Sequence, residues 1–221
     1  MGQPGGHELK MKQQVELASK AVSNLGLNGQ KAQVILMLDC SGSMQSRYND
    51  GSVQTLAERA LALAMVFDDD QQVPVIAFDS RTIVCTPATP DTIQGYVSRE
   101  IERKHQLGGG TNYANAMNAA FKQWNSSGEV GLIIAVTDGN ADDRRAAEQL
   151  IRELSSKPVF WQWLGVGNES FDLLRSLDSL PNRKVDNAGF FQVRSPSELD
   201  YSGLLNEFPK YLVAARQAGV L

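Results

Sequence analysis

Cysteine and histidine are scarce in this chain of 221 residues, with two of each. Cys40 and Cys85 cannot build a disulfide framework, so free thiols in a reducing compartment are expected. His7 and His105 lie far apart, and with no His/Cys cluster a zinc site of that type is excluded. No apolar run reaches the length of a membrane span. No signal-peptide core follows the polar opening Met1-Gly-Gln-Pro-Gly-Gly6, which reads as a linker in a chain cut from a longer protein. Charge of one sign is also lacking. Twenty-one Lys and Arg stand against 25 Asp and Glu, a net of −4. The basic residues are scattered, which excludes a nucleic-acid surface.

What is present is an ordinary apolar share, 42%, enough for one α/β core. Residues 1–7 read as linker and 8–221 as a single domain. Uninterrupted apolar runs at Val34–Leu38 and Val130–Thr137 suit central strands covered on both faces. Val73–Phe78, Val159–Val166 and Gly189–Val193 read as further strands, and Thr82–Cys85 as an edge hairpin. Helices are expected over Glu8–Leu25, Gln54–Phe67, Asp91–Ile101, Asn112–Trp124, Ala141–Leu154, Ser170–Leu177 and Tyr201–Ala218. This alternation predicts an α/β fold: a doubly wound, mostly parallel central sheet with helices on both faces. Ligands in such folds bind at the carboxyl edge of the strands.

The residues with chemistry fall at that edge. The first strand runs into Asp39-Cys40-Ser41-Gly42-Ser43, a carboxylate followed by two hydroxyls at alternate positions. Thr111 follows Gly108-Gly-Gly110, and Asp138 ends the Val130–Thr137 strand. Two carboxylates and three hydroxyls make an oxygen-only donor set for a hard dication, Mg²⁺ first, with Mn²⁺ or Ca²⁺ as alternatives. Other features read as structural. Cys40 is a small buried hydrophobe, Trp161 and Trp163 are core, and Asp68-Asp-Asp70 is a turn at the opposite edge. Gly165-Val-Gly167 lacks the third glycine of a dinucleotide fingerprint. His105 is a surface loop residue.

Asp39-x-Ser41-x-Ser43, Thr111 after a Gly-rich turn and Asp138-Gly139 after an apolar strand resemble the metal-ion-dependent adhesion site of von Willebrand factor A (vWA) domains. The match spans about Val34 to Val193. A narrower set looks like the intracellular A-type domains of bacterial tellurium-resistance proteins: Tyr48-x-x-Gly51-x-Val53-Gln54, Glu58-Arg59-Ala-Leu61, Phe67-Asp-Asp-Asp70, Phe160-Trp-Gln-Trp163 and Asn187-Ala-Gly-Phe-Phe191. The resemblance implies a cytoplasmic, non-catalytic, metal-dependent protein-binding module in a tellurium-resistance or stress-response system. It also implies that Asp39, Ser41, Ser43, Thr111 and Asp138 hold the ion, directly or through water. A protein partner, or another domain of the same polypeptide, then supplies an acidic residue. Met44, Tyr48, Asn112, Tyr113 and Asn140 follow ligand residues and are expected to rim the site. The rival reading is a phosphate-ester hydrolase or a phosphoacceptor on the same edge. Against the first, Ser41 stands where such hydrolases carry a second Asp. Against the second, Asp39-Cys40 supplies one acid where a pair is needed.

Overall fold

The computed structural model describes residues 6–124, 129–139 and 141–221. Among these, six strands form one sheet in the order β3-β2-β1-β4-β5-β6. They are β1 (Ala32–Asp39), β2 (Val75–Phe78), β3 (Thr82–Val84), β4 (Val130–Thr137), β5 (Val159–Val166) and β6 (Ala188–Val193). All neighbours run parallel except β3, which returns antiparallel on β2 with Ala77 opposite Ile83. The helices are α1 (Gly6–Asn24), α2 (Gln45–Asn49), α3 (Ser52–Phe67), α4 (Tyr113–Gln123), α5 (Arg144–Leu154), α6 (Asp172–Asp178), α7 (Tyr201–Leu204) and α8 (Phe208–Gln217). Helix α1 begins within the stretch that composition marks as linker.

The uninterrupted apolar strands follow from burial on both faces. On one face Val34, Leu36 and Leu38 of β1 join Leu132, Ile134 and Val136 of β4 and pack under α1, α3 and α8. On the other, Ile35, Met37, Ile133 and Ala135 meet α4, α5 and α6. Trp161 and Trp163 are fully buried on that second face.

Two expected helices are not continuous. Over 91–101 only a short π-helical turn forms, Ser98–Glu102, because Gly95 takes a left-handed φ of 63° just before it. The closing helix breaks at 205–207. Pro209 has no N–H to give the Leu205 carbonyl, so a continuous helix would lose that bond and clash there. Instead Phe208 N–H bonds Leu205 O at 3.1 Å and the helix restarts, with the proline in its first turn.

The strand order reverses between β1 and β4. Chain segments leaving these adjacent strands diverge to opposite sides, opening a crevice at their carboxyl ends. Asp39 ends β1 and Asp138 directly follows β4 at this crevice.

Candidate metal centre

The crevice floor is Asp39, the last residue of β1, which is fully buried. Its Oδ1 accepts the Ser41 backbone N–H at 2.8 Å and its Oδ2 accepts the Thr137 hydroxyl at 2.6 Å. Ser41 Oγ lies 3.3 Å from Ser43 Oγ, and the Ser43 hydroxyl donates to Asp138 Oδ1 at 2.8 Å. Four of the five residues singled out in the sequence are therefore linked in one run of hydrogen bonds, the first from a backbone N–H and the other two between side-chain oxygens. Asp39 and Ser41 are buried, while Ser43 is exposed.

Thr111 stands outside that set, on a loop of its own that backbone bonds stitch to the first. Gly108 N–H bonds Cys40 O at 3.0 Å, and Gly42 N lies 3.5 Å from Gly109 O. The three glycines have separate reasons. Gly108 and Gly109 adopt φ of 130° and 100°, which L side chains avoid. A Cβ on Gly110 would collide with the Asp142 carboxylate. That carboxylate accepts Thr111 N–H at 3.1 Å, and Asp142 N–H returns a bond to Thr111 O at 2.8 Å. The next residue, Asp143, accepts Tyr113 N–H at 2.8 Å and Ala114 N–H at 2.7 Å, so it caps α4 rather than its own helix.

Burial pushes the Asp39 carboxyl up to about 6, against the bonds from Ser41 and Thr137; the Asp138 charge adds to the rise. Burial also raises Asp138, aided by Glu169 and opposed by the Ser43 bond and the Arg47 charge. Two carboxylates that burial makes costly to ionise, at one sheet edge, would gain from a cation. The donors fit a hard dication, being carboxylate and hydroxyl oxygens without competing nitrogen or sulfur. Among the described residues no three His, Cys, Asp or Glu side chains converge.

Three expected rim residues lie behind the site instead. Met44 and Tyr113 are fully buried and Tyr48 nearly so. The Tyr48 hydroxyl donates to Asp39 O at 3.1 Å. The Tyr113 hydroxyl lies 2.7 Å from Gly139 O and 3.1 Å from Thr137 Oγ1. Helix geometry turns these side chains into the core although their neighbours face the crevice. Asn112 remains half-buried at the edge, and Asn140 lies outside the described residues.

Residues not anticipated from sequence complete the surroundings. Asp79, fully buried after β2, accepts Arg81 Nε at 3.1 Å and Nη2 at 2.6 Å. Burial would raise its carboxyl, but the bonds and charge of Arg81 outweigh that and hold it below the usual range. Asn112 N–H bonds Asp79 O at 3.0 Å, tying this loop to the Thr111 segment. Cys40 has its thiol pushed up to about 12, first by burial and then by Asp79 and Asp39, so it is no nucleophile at neutral pH.

A parallel sheet that switches order above a carboxylate–hydroxyl crevice defines a vWA domain. The model of the vWA found in TerF C terminus matches residues 31–221, and the chain belongs to that family. It is 35% identical over 201 residues to uncharacterized protein YcbR of Bacillus subtilis (strain 168), covering 86% of this chain and 81% of that protein. Among solved structures, the SpRpn10 VWA domain superposes with a TM-score of 0.55 at 14% identity, covering 80% of this chain and 95% of that one. Proximal thread matrix protein 1 from the mussel byssus, with a zinc-occupied MIDAS motif, gives a TM-score of 0.56 at 18% identity over 83% of this chain and 48% of that one. These similarities show the fold. No helix among the described residues is long and apolar enough to cross a membrane.

Proposed function

We propose that the chain is a non-catalytic, metal-dependent protein-binding module. Asp39, Ser41, Ser43, Thr111 and Asp138 hold one divalent cation, Mg²⁺ by preference, directly or through water. The observation that carries this reading is the run of hydrogen bonds from buried Asp39 through Ser41 and Ser43 to Asp138, which gathers two carboxylates and two hydroxyls although Asp138 is 95 residues from Ser43 in sequence. The cation supplies charge that an acidic group of a partner can meet. The protein fixes the carboxylates, excludes water from the floor and leaves Ser43 and Thr111 toward solvent. The zinc-occupied site of the mussel protein supports a metal role for this crevice in the fold.

The partner is a protein that presents Asp or Glu, either in trans or as another domain of the same polypeptide. The family description places this type of domain at the C terminus of TerF, which supports a cytoplasmic role in a bacterial tellurium-resistance or stress-response system. The folded unit includes α1 and so begins at Gly6, two residues before the expected start at residue 8. Isothermal calorimetry tests the core of the proposal: one Mg²⁺ or Mn²⁺ site in the native chain, abolished in Asp39→Ala. Full binding by Asp39→Ala refutes it. A pull-down with and without chelator then tests whether partner capture needs the ion.

A further inference from the structure

A site built to hold a cation gains from each nearby anion and loses from each nearby cation. Arg47 runs against that rule. Carried on α2 just beyond Ser43, it places Nε 4.0 Å from Asp138 Oδ2, with the side chain only 19% exposed. At that distance the two groups attract but do not hydrogen-bond. Arg47 Nε is buried without a hydrogen-bond partner among the described residues.

The slot holding Arg47 is made by Gly167, after β5. This glycine has φ of 134°, and a Cβ there would collide with both Arg47 Nη2 and Glu169 Oε2. Glu169 is exposed, and its carboxylate comes to the same spot over Gly167, so the guanidinium has an acid on either side, Asp138 and Glu169. The backbone thus makes room for a guanidinium beside the metal crevice and leaves one of its donors unused. A buried donor left unpaired is costly, and the guanidinium's charge weakens any neighbouring dication. Metal binding alone gives no reason for this arrangement.

We propose that Arg47 is a specificity-determining residue of this site, its guanidinium gripping one oxygen of a partner's carboxylate while the other oxygen faces the metal. The inference rests on the metal-dependent reading above. Guanidinium suits the task because its planar fork pairs with a carboxylate at fixed geometry, which an ammonium cannot do. Arg47 makes the site select a carboxylate over a neutral oxygen ligand such as an amide or hydroxyl, which the ion alone would also accept.

The test uses ¹⁵N-labelled chain saturated with Mg²⁺ and titrated with N-acetyl-glutamate N-methylamide, with the glutamine analogue as neutral control. The Arg47 Nε–H resonance is expected to shift with the glutamate probe and not with the glutamine one. Arg47→Met should bind Mg²⁺ at least as tightly as the native chain by calorimetry, yet bind the glutamate probe roughly tenfold or more weakly. If Arg47→Met does not fold, Arg47→Lys carries the same comparison, keeping the charge without the fork and losing probe affinity with Mg²⁺ binding unchanged. Native probe affinity in either variant overturns the role of Arg47 alone. Loss of Mg²⁺ affinity in Arg47→Met also overturns it, because the arginine would then merely support the site. Absence of Mg²⁺ binding to the native chain overturns the metal reading and this inference with it.

Discussion

The Thr137 hydroxyl donates to Asp39 Oδ2 at 2.6 Å, joining the ends of the two central strands β1 and β4 beneath the crevice. The bond orients the carboxylate that forms the floor, and Tyr113 and Gly139 meet the same hydroxyl from the other side at 3.1 and 3.3 Å. Thr137→Val keeps the side-chain shape and removes the donor. It should destabilise the metal-free protein by about 1–3 kcal/mol and weaken Mg²⁺ binding roughly ten- to hundredfold through loss of carboxylate orientation. Thr137→Ser should retain both. Melting in EDTA and calorimetry read the two effects, and native Mg²⁺ affinity in Thr137→Val would remove this threonine from the site.

Ionised Asp39 is a burden on the metal-free fold. Burial lifts its carboxyl from 3.8 to about 6, over the opposing bonds from Ser41 and Thr137. The native state therefore holds this proton more tightly than the unfolded chain does. Its stabilising contribution is complete below 3.8 and is lost as pH rises through about 6, up to about 3 kcal/mol. In EDTA the native chain should lose stability relative to Asp39→Asn between pH 4 and pH 7. Mg²⁺ affinity should rise with pH over that same window, since the ion needs the carboxylate. Parallel stability curves for the two proteins in EDTA would show that Asp39 titrates normally.

Occupation of the site should reverse that burden. A cation that binds only the folded state stabilises by mass action, roughly 2.7 kcal/mol at one hundred times its dissociation constant. The melting temperature should rise with Mg²⁺ and fall on chelation. Asp138→Asn removes one of the two carboxylates and leaves Ser43 a neutral partner at 2.8 Å, so it should blunt the response. A melting curve indifferent to EDTA after saturation with metal would separate the ion from folding.

The fold was legible where burial imposes a simple pattern. Val34–Leu38 of β1 and Val130–Val136 of β4 are uninterrupted apolar runs because helices cover both their faces, and a carboxylate follows each closely, Asp39 and Asp138. Direction was harder to read. Met44 and Tyr113 follow Ser43 and Asn112 in sequence, yet one step along a helical turn rotates a side chain from the crevice into the core. Thr137 passed as an ordinary strand end, although it is the polar close of an otherwise apolar run. Arg47 and Asp143 act on partners far away in sequence, Asp138 and the start of α4, and only the packing of three loops brings those pairs together. Pro209, by contrast, marked the break in the closing helix in plain view.

The family model begins at residue 31, which leaves α1 outside the matched segment, but α1 is packed as part of the body. Met11, Ala18, Ala21 and Val22 bury its inner face in the core shared with α3. Glu58 of α3, 7% exposed, holds Lys10 Nζ at 2.7 Å and accepts Gln54 Nε2 at 3.1 Å, with His7 Nε2 at 3.6 Å. Tyr201 adds a bond to Gln14 at 3.1 Å. Removing the buried carboxylate deprives Lys10 of its partner, while Gln54 Nε2 keeps its bond to Ile93 O at 2.7 Å, and frees the first turns of α1. Glu58→Ala should lower stability by about 1–3 kcal/mol and speed tryptic cleavage at Lys10 and Lys12. Mg²⁺ affinity should stay unchanged, because α1 packs on α3 and α7 and supplies no crevice residue. Glu58→Gln should be milder, since the amide still accepts a bond while Lys10 loses its counter-charge. Limited proteolysis with calorimetry on the same samples checks both halves. Native resistance to trypsin in Glu58→Ala would show that apolar packing alone fixes α1, and a parallel loss of Mg²⁺ binding would show that the helix supports the crevice as well.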